Sequence, residues 1–281
     1  MARSIYYFSN LHQNIQFLMI PFLVLILLAG MYLVSQVSTA KAGILGTKIM
    51  VIDDSSSALP NEQTINHGPR DKKKVALTLD AEMTDGMKAK LVSKGVGISY
   101  DKRIVDTLNQ TNTKATFFLT GMWMELYPDV TKELSSNHLF ELGSHSYTDS
   151  SFEGSCYGLK EILENQEQAD IEYTQKLLKE LAGIDNHLFR FPGGCYSQED
   201  LDLVNNAGLK VVHWDVSGAD GFENSSETIE QNVLNKVQNG SIIILHLNGT
   251  PTAPKTAEAL PKIISELKAR GFEFVKVSEL L

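Results

Sequence analysis

Seven short β-rich runs, each followed by a stretch of helical periodicity, leave a chain like this few ways to fold. The runs are Val75–Leu79, Ala115–Leu119, Leu139–Gly143, Leu188–Phe191, Val211–Val216, Ile242–Leu247 and Phe272–Val277. Helical patterns lie between them at Ile104–Leu108, Tyr127–Leu134, Glu161–Leu181, Glu227–Val237 and Ala257–Arg270. Strands joined through helices pair in parallel, because each crossover returns the chain to the same end of the sheet. Two architectures satisfy the pattern: a barrel closed as a (β/α)7 variant of the eight-fold barrel, or an open doubly wound sheet. No Gly-x-Gly-x-x-Gly follows an early strand and no phosphate loop is present, so no nucleotide cofactor is expected.

The amino terminus has a different character. From Ile15 to Val34 the chain reads IQFLMIPFLVLILLAGMYLV, twenty residues without a charge. A helix of that length spans about 30 Å, the thickness of a bilayer core. Ala40-Lys41-Ala42 offers a small-x-small cleavage site, so the run reads as an uncleaved anchor or a signal peptide. Residues 43–72 follow as a polar tether with no apolar period, which cannot bury enough surface to offset its ordering entropy. The expected organisation is a signal or anchor segment at 1–42 with its hydrophobic helix at 15–34, a flexible linker at 43–72, and a folded domain at 73–281. The domain is expected outside the cytoplasm, held at the cell membrane or secreted after cleavage.

Charge excludes one class of partner. Residues 75–281 hold 18 basic and 30 acidic side chains, a net charge of −12. An anionic body repels phosphate backbones, so no nucleic acid is expected. The two cysteines are too few for a disulfide-rich scaffold or a four-cysteine zinc site.

Reactive side chains gather at strand ends. Asp80 and Glu82 follow the first run, His145 and Asp149 the third; Arg190 ends the fourth, Asp215 and Asp220 lie at and beyond the fifth, and His246 ends the sixth. Any one of them is a common helix cap, turn former or buried polar group. Together they occupy one rim, the carboxyl ends of the strands, where parallel α/β folds place their active sites.

In this order the residues resemble the polysaccharide deacetylases of carbohydrate esterase family 4, the NodB homology group. The resemblance covers about residues 73–281. Its first motif is Val75-Ala-Leu-Thr-Leu-Asp80, with Ala115-Thr-Phe-Phe-Leu119 as the strand after it. Gly143-Ser-His145-Ser-Tyr-Thr-Asp149 is similar to the histidine motif, and Arg190-Phe-Pro-Gly193 to the arginine–proline motif. Trp214-Asp215 through Asp220 and Ile242 through His246 complete the set. The resemblance implies a deformed (β/α)7 barrel, here preceded by one N-terminal transmembrane helix or signal peptide. It also implies metal-dependent removal of N-acetyl groups from an amino-sugar polysaccharide such as peptidoglycan or a chitin-like glycan. Asp80 takes the role of general base, oriented by Arg190, and His246 that of general acid, supported by Asp220.

The departures from the family pattern all touch the metal. Ala81 stands where a second aspartate is usual, and Asp149 where a second histidine is usual. His145, Asp149 and Glu82 still make an acceptable nitrogen and oxygen set for one divalent ion, zinc first, with cobalt or manganese as alternatives. Tyr147, Pro192 and Trp214 are the expected substrate contacts, with Phe222 a further aromatic candidate. In an exported domain Cys156 and Cys195, on neighbouring rim loops, form a candidate disulfide. The domain is expected to be monomeric. Two rival functions stay open: a catalytically impaired carbohydrate-binding wall protein, and a glycosidase pairing Asp80 with Asp215 or Asp220.

Overall fold

The computed structural model describes residues 64–95 and 99–281. The apolar run 15–34 and most of the tether lie outside the described residues. In chain order the elements are β1 (Thr64–Ile65), β2 (Lys74–Ala81), α1 (Asp85–Lys94), α2 (Lys102–Gln110), β3 (Ala115–Leu119), α3 (Gly121–Leu126), α4 (Pro128–Ser136) and β4 (Phe140–Ser144). Then come α5 (Glu167–Leu177), β5 (Leu188–Phe189), α6 (Gln198–Asn206), β6 (Lys210–Val212), β7 (Val216–Ser217), α7 (Ser226–Leu234), β8 (Ile242–His246), α8 (Thr256–Ala269), β9 (Glu273–Val275) and α9 (Val277–Leu280).

All the strand pairs are parallel, in the order β1-β6-β5-β4-β3-β2-β8-β7, with β9 alongside the first residues of β2. The path ends at β1 on one side and β7 on the other. Sequence periodicity predicts one strand over 211–216, but the structure breaks it: β6 pairs with β1 and β5, whereas β7 pairs with β8. Between them the Asp215 carboxylate accepts from the Ile242 N–H at 2.9 Å and from the Ser241 hydroxyl at 3.0 Å. The Asp215 N–H in turn donates to the Ile242 carbonyl at 3.3 Å, so backbone and side chain of this one residue together hold the seam. The predicted run 188–191 also shortens, because Pro192 has no N–H and Gly193 and Gly194 take φ of 63° and 72°.

Strand β2 shows why no clean alternation is visible in the sequence. Val75, Leu77, Leu79 and Ala81 pack outward with Ile104, Leu108, Leu260 and Ile263 of the surrounding helices. Ala76 packs inward with Phe118, Leu188, Val212 and Ile242. Both faces are buried, so the strand reads as continuously apolar although its side chains alternate. Two residues on from Ala76, Thr78 continues the inner face, and Asp80 ends it at the barrel mouth.

Residues 64–72, read from composition as the end of the linker, make contacts with the sheet. β1 joins β6, Gly68 donates to the Gly240 carbonyl at 2.8 Å, and Arg70 pairs with Asp215 at 2.7 Å. A Cβ at Gly68 would lie 2.5 Å from Leu280 Cγ, so this segment is pressed onto the barrel base. Two paired residues are too few to show a period, which is why composition alone reads them as tether.

Candidate active site

The rim is built on a buried ion pair. Arg190 is fully buried, and its Nη1 donates to Asp80 Oδ1 at 2.7 Å and to Thr78 Oγ1 at 2.8 Å. Its other nitrogens donate to the Val212 and His213 carbonyls at 3.1 and 3.2 Å. The guanidinium carbon lies 4.1 Å from the centroid of the Phe118 ring. Burial pulls the Arg190 pKa down while Asp80 pushes it back, so the pair stands or falls together. Oδ1 of Asp80 is thereby committed; Oδ2 faces His145.

His145 Nδ1 lies 2.8 Å from the Arg190 carbonyl. A carbonyl only accepts, so Nδ1 carries the hydrogen and Nε2 keeps its lone pair. That Nε2 is 3.7 Å from Asp80 Oδ2 and 3.6 Å from Asp149 Oδ1. Nε2 of His145 and Oδ1 of Asp149 are both buried without a hydrogen-bond partner among the described residues. Two orphaned acceptors facing each other are costly unless a cation lies between them. Burial, reinforced by Glu82, holds the Asp149 carboxyl well above the usual carboxylate range, as expected for an acid lacking a compensating charge. Asp149 also sits at φ 56°, a left-handed backbone that Asp tolerates better than most residues. Ligand atoms of Glu82, His145 and Asp149 lie within 4.8 Å of one another. This donor set fits a divalent ion: one imidazole nitrogen with its tautomer fixed, and two carboxylates.

The alternation of β2 explains which residue supplies the third donor. Ala81 is buried among the outward-facing side chains, and its carbonyl accepts from Thr120. Glu82 follows and turns back to the mouth. Its N–H donates to Asn248 Oδ1 at 3.0 Å and its carbonyl accepts from Asn248 Nδ2 at 2.6 Å, a two-point clamp.

His246 occupies the other side of Glu82. Its Nδ1 lies 2.8 Å from Asp220 Oδ1, and its backbone N–H donates to Asp220 Oδ2 at 2.8 Å. The Thr256 hydroxyl donates to that same Oδ2 at 2.5 Å. Nε2 lies 3.2 Å from Glu82 Oε1. Burial opposes the imidazolium, but Asp220 and Glu82 outweigh it and hold the His246 pKa well above its ordinary value. Burial would raise Asp220 and Glu82 as well; the His246 charge holds both below the usual carboxylate range. A committed carboxylate and a protonated histidine therefore flank the unsatisfied donor set.

The structure brings Asp80, Arg190, His145, Asp149, Glu82, His246 and Asp220 into one site. It divides the expected substrate contacts. Trp214 lines a cavity of about 290 Å³ over Asp80, Glu82 and His246, together with Tyr157, Leu159, Gly193, Phe222 and Thr252. Tyr147 and Pro192 are not among the residues lining it. Tyr147 instead packs on Gly121 and Tyr173 and donates its hydroxyl to Glu125 at 2.9 Å, and Pro192 is buried in the turn after Phe191. Cys156 and Cys195 are joined in a disulfide with Cα atoms 6.0 Å apart. Asp215 is occupied by Arg70, Ser241 and the Ile242 N–H at the seam, which removes it from acid–base work. Tyr157, Asn248 and Thr256 are missed by strand-end reasoning, since each acts from a loop or a helix start. A larger groove of about 630 Å³ includes Phe140, Leu188 and Lys210, at the amino ends of β4, β5 and β6, the opposite end from the acid–base groups.

A deformed parallel barrel with these groups on its carboxyl rim is the architecture of carbohydrate esterase family 4. The chain belongs to the polysaccharide deacetylase family, whose model matches residues 67–212. The match contains Asp80, Glu82, His145, Asp149 and Arg190; Asp220 and His246 lie beyond it. The chain is 30% identical over 213 residues to a peptidoglycan-N-acetylglucosamine deacetylase of Bacillus cereus, covering 76% of this chain and 70% of that one. Among solved structures it is similar to a peptidoglycan N-acetylglucosamine deacetylase in complex with a naphthalenyl-N-oxidanyl-benzamide. That similarity has a TM-score of 0.67 at 28% identity and covers 78% of this chain and 92% of the other. A pseudoenzyme of the same esterase family from Bacillus anthracis shares the fold, with a TM-score of 0.64 at 24% identity over 77% of this chain and 68% of that one.

Proposed function

We propose that this chain removes N-acetyl groups from an amino-sugar polysaccharide of the cell envelope, peptidoglycan or a chitin-like glycan. One observation carries the reading. Two orphaned buried acceptors, His145 Nε2 and Asp149 Oδ1, lie between a held carboxylate on one side and a protonated histidine on the other.

His145, Asp149 and Glu82 would hold one divalent ion, zinc first and cobalt or manganese as alternatives given the two carboxylates. When bound, such an ion supplies a lowered water pKa and a polarised acetyl carbonyl. The chain's own groups move the protons. Asp80 accepts one at Oδ2, because Oδ1 is tied to Arg190. His246 donates from Nε2 to the departing amine, because Asp220 at Nδ1 keeps the ring charged. Trp214 and Leu159 wall the cavity beside these atoms and limit access of bulk water.

Read as an anchor or signal, the apolar 15–34 run would put the domain outside the cytoplasm, where envelope polymers are the available amides, and the domain would act there as a monomer. The Cys156–Cys195 disulfide supports that compartment, since such bonds persist in oxidising surroundings.

Incubation with N-acetylated chitooligosaccharides or peptidoglycan is expected to release acetate without new reducing ends. Reducing ends in place of acetate would sink the deacetylase reading and revive a two-carboxylate glycosidase. A second reading, a wall-binding protein with impaired catalysis, is favoured by Ala81, which offers no ligand at the position after Asp80. Glycan affinity that survives chelation, with no acetate released, would select it.

A further inference from the structure

Two aromatic side chains at the mouth of the cleft serve none of the acid–base work. Tyr157 is 72% exposed and Phe222 is 71% exposed, the most exposed aromatics among the described residues. They come from different rim loops, after β4 and after β7, and their ring centroids are 5.6 Å apart with planes tilted by 45°. Both line the cavity over Asp80, Glu82 and His246, and the Tyr157 hydroxyl has no hydrogen bond among the described residues. A single exposed aromatic is unremarkable; two in contact at a catalytic mouth form an apolar surface with no covering group.

Each ring is held there at some cost in local geometry. Tyr157 takes φ 51°, a left-handed conformation that a bulky residue adopts only when its surroundings require it. Its neighbour Cys156 is bonded to Cys195, and the loop lies against Gly193, where a Cβ would come within 2.4 Å of Cys156 Sγ and 3.2 Å of Tyr157 Cδ2. On the opposite loop, Ala219 takes φ 56°. Phe222 follows Gly221, where an added Cβ would lie 3.6 Å from His246 Cε1, so its loop runs flush with the catalytic ring.

We propose that Tyr157 and Phe222 form a stacking platform for the pyranose ring next to the sugar being deacetylated, with the Cys156–Cys195 disulfide fixing the Tyr157 half. This rests on the deacetylase reading for the identity of the ligand. A pyranose presents axial C–H groups on its faces and hydroxyls on its edge. Two tilted aromatic faces match the former, while Ser217 and Thr252 in the same cavity offer hydroxyls to the latter. The platform selects for chain length, because a lone sugar at the reacting position leaves it bare.

The test is titration of the full-length protein in mild detergent with chitobiose and chitopentaose in their N-acetylated forms, alongside acetate release from each. Tyr157→Ala and Phe222→Ala should each weaken pentamer affinity about two- to tenfold, and dimer affinity less. Tyr157→Phe, which keeps the ring, should stay near the wild-type value. Cys156→Ser with Cys195→Ser should weaken pentamer affinity to the Tyr157→Ala level, with thermal unfolding confirming a folded barrel. Unchanged pentamer affinity in both alanine variants, or no wild-type affinity for either oligosaccharide, overturns the platform. Pentamer affinity that depends on both rings, with no acetate released, supports the platform and overturns the deacetylase reading alone.

Discussion

Asp80 has a dual role, as one half of a buried ion pair and as the free oxygen of the site. Asp80→Asn should therefore lose activity and stability together. Acetate release should fall by about 10²–10⁴. Leaving Arg190 buried against a neutral partner should cost about 3–5 kcal/mol, read as a lowered thermal midpoint. A variant with normal stability and no activity would mean that Arg190 is compensated elsewhere. For His145, the orphaned Nε2 predicts a different phenotype. His145→Gln should weaken zinc affinity by at least about 10–100-fold in a competition assay, whatever the activity. Asp170 gives a clean pH signature away from the site. Burial pushes its pKa up to about 7, while its carboxylate accepts from the Tyr147 N–H at 2.8 Å. A raised folded-state pKa contributes stability that is full below about pH 4 and is lost as pH rises through 7. The thermal midpoint of Asp170→Asn should gain on wild type steadily between pH 4 and 7.5, and a parallel pair of curves would contradict the burial.

Among the elements, β4 shows how closely packing and site are joined. A Cβ at Gly143 would lie 2.7 Å from the Phe118 ring, the same ring that stacks under Arg190. Gly143→Ala should cost about 1–3 kcal/mol by overpacking and should also lower activity, since the ring it displaces lies against the Arg190 guanidinium. Unfolding midpoints and acetate rates on the one variant test both halves. Most strands were legible because β-rich runs between helices have few alternatives, and the rim residues were legible because parallel folds place chemistry at strand ends. The seam between β6 and β7 was not, since valines flank it on both sides in Val211–Val216 and the contact of Asp215 there is with Ile242 from a distant part of the chain. The position of Tyr147 was hidden for a related reason. It lies two residues after His145, but Ser146 takes φ 59° and turns the chain, so Tyr147 packs against α3 rather than the cavity. Tyr157 left no local signal at all; only the disulfide and the turn at Gly193 bring it to the mouth.

For the molecule as a whole, the contacts of residues 64–72 make the boundary of the folded body testable. A chain starting at residue 73 would lack β1, the Gly68–Gly240 hydrogen bond and the Arg70–Asp215 pair. It should unfold at a lower urea midpoint than one starting at residue 59, and equal midpoints would show that 64–72 adds nothing. The site is proposed to work as an ion-dependent unit, and chelation followed by add-back puts that dependence to the test. Full-length protein stripped by a chelator and offered N-acetylated chitooligosaccharide should release no acetate, and adding zinc, cobalt or manganese should restore release. The Asp149→Ala variant should regain little under the same metals. Acetate release that persists in the stripped protein, or none in the metal-loaded wild type with the barrel folded, would contradict it.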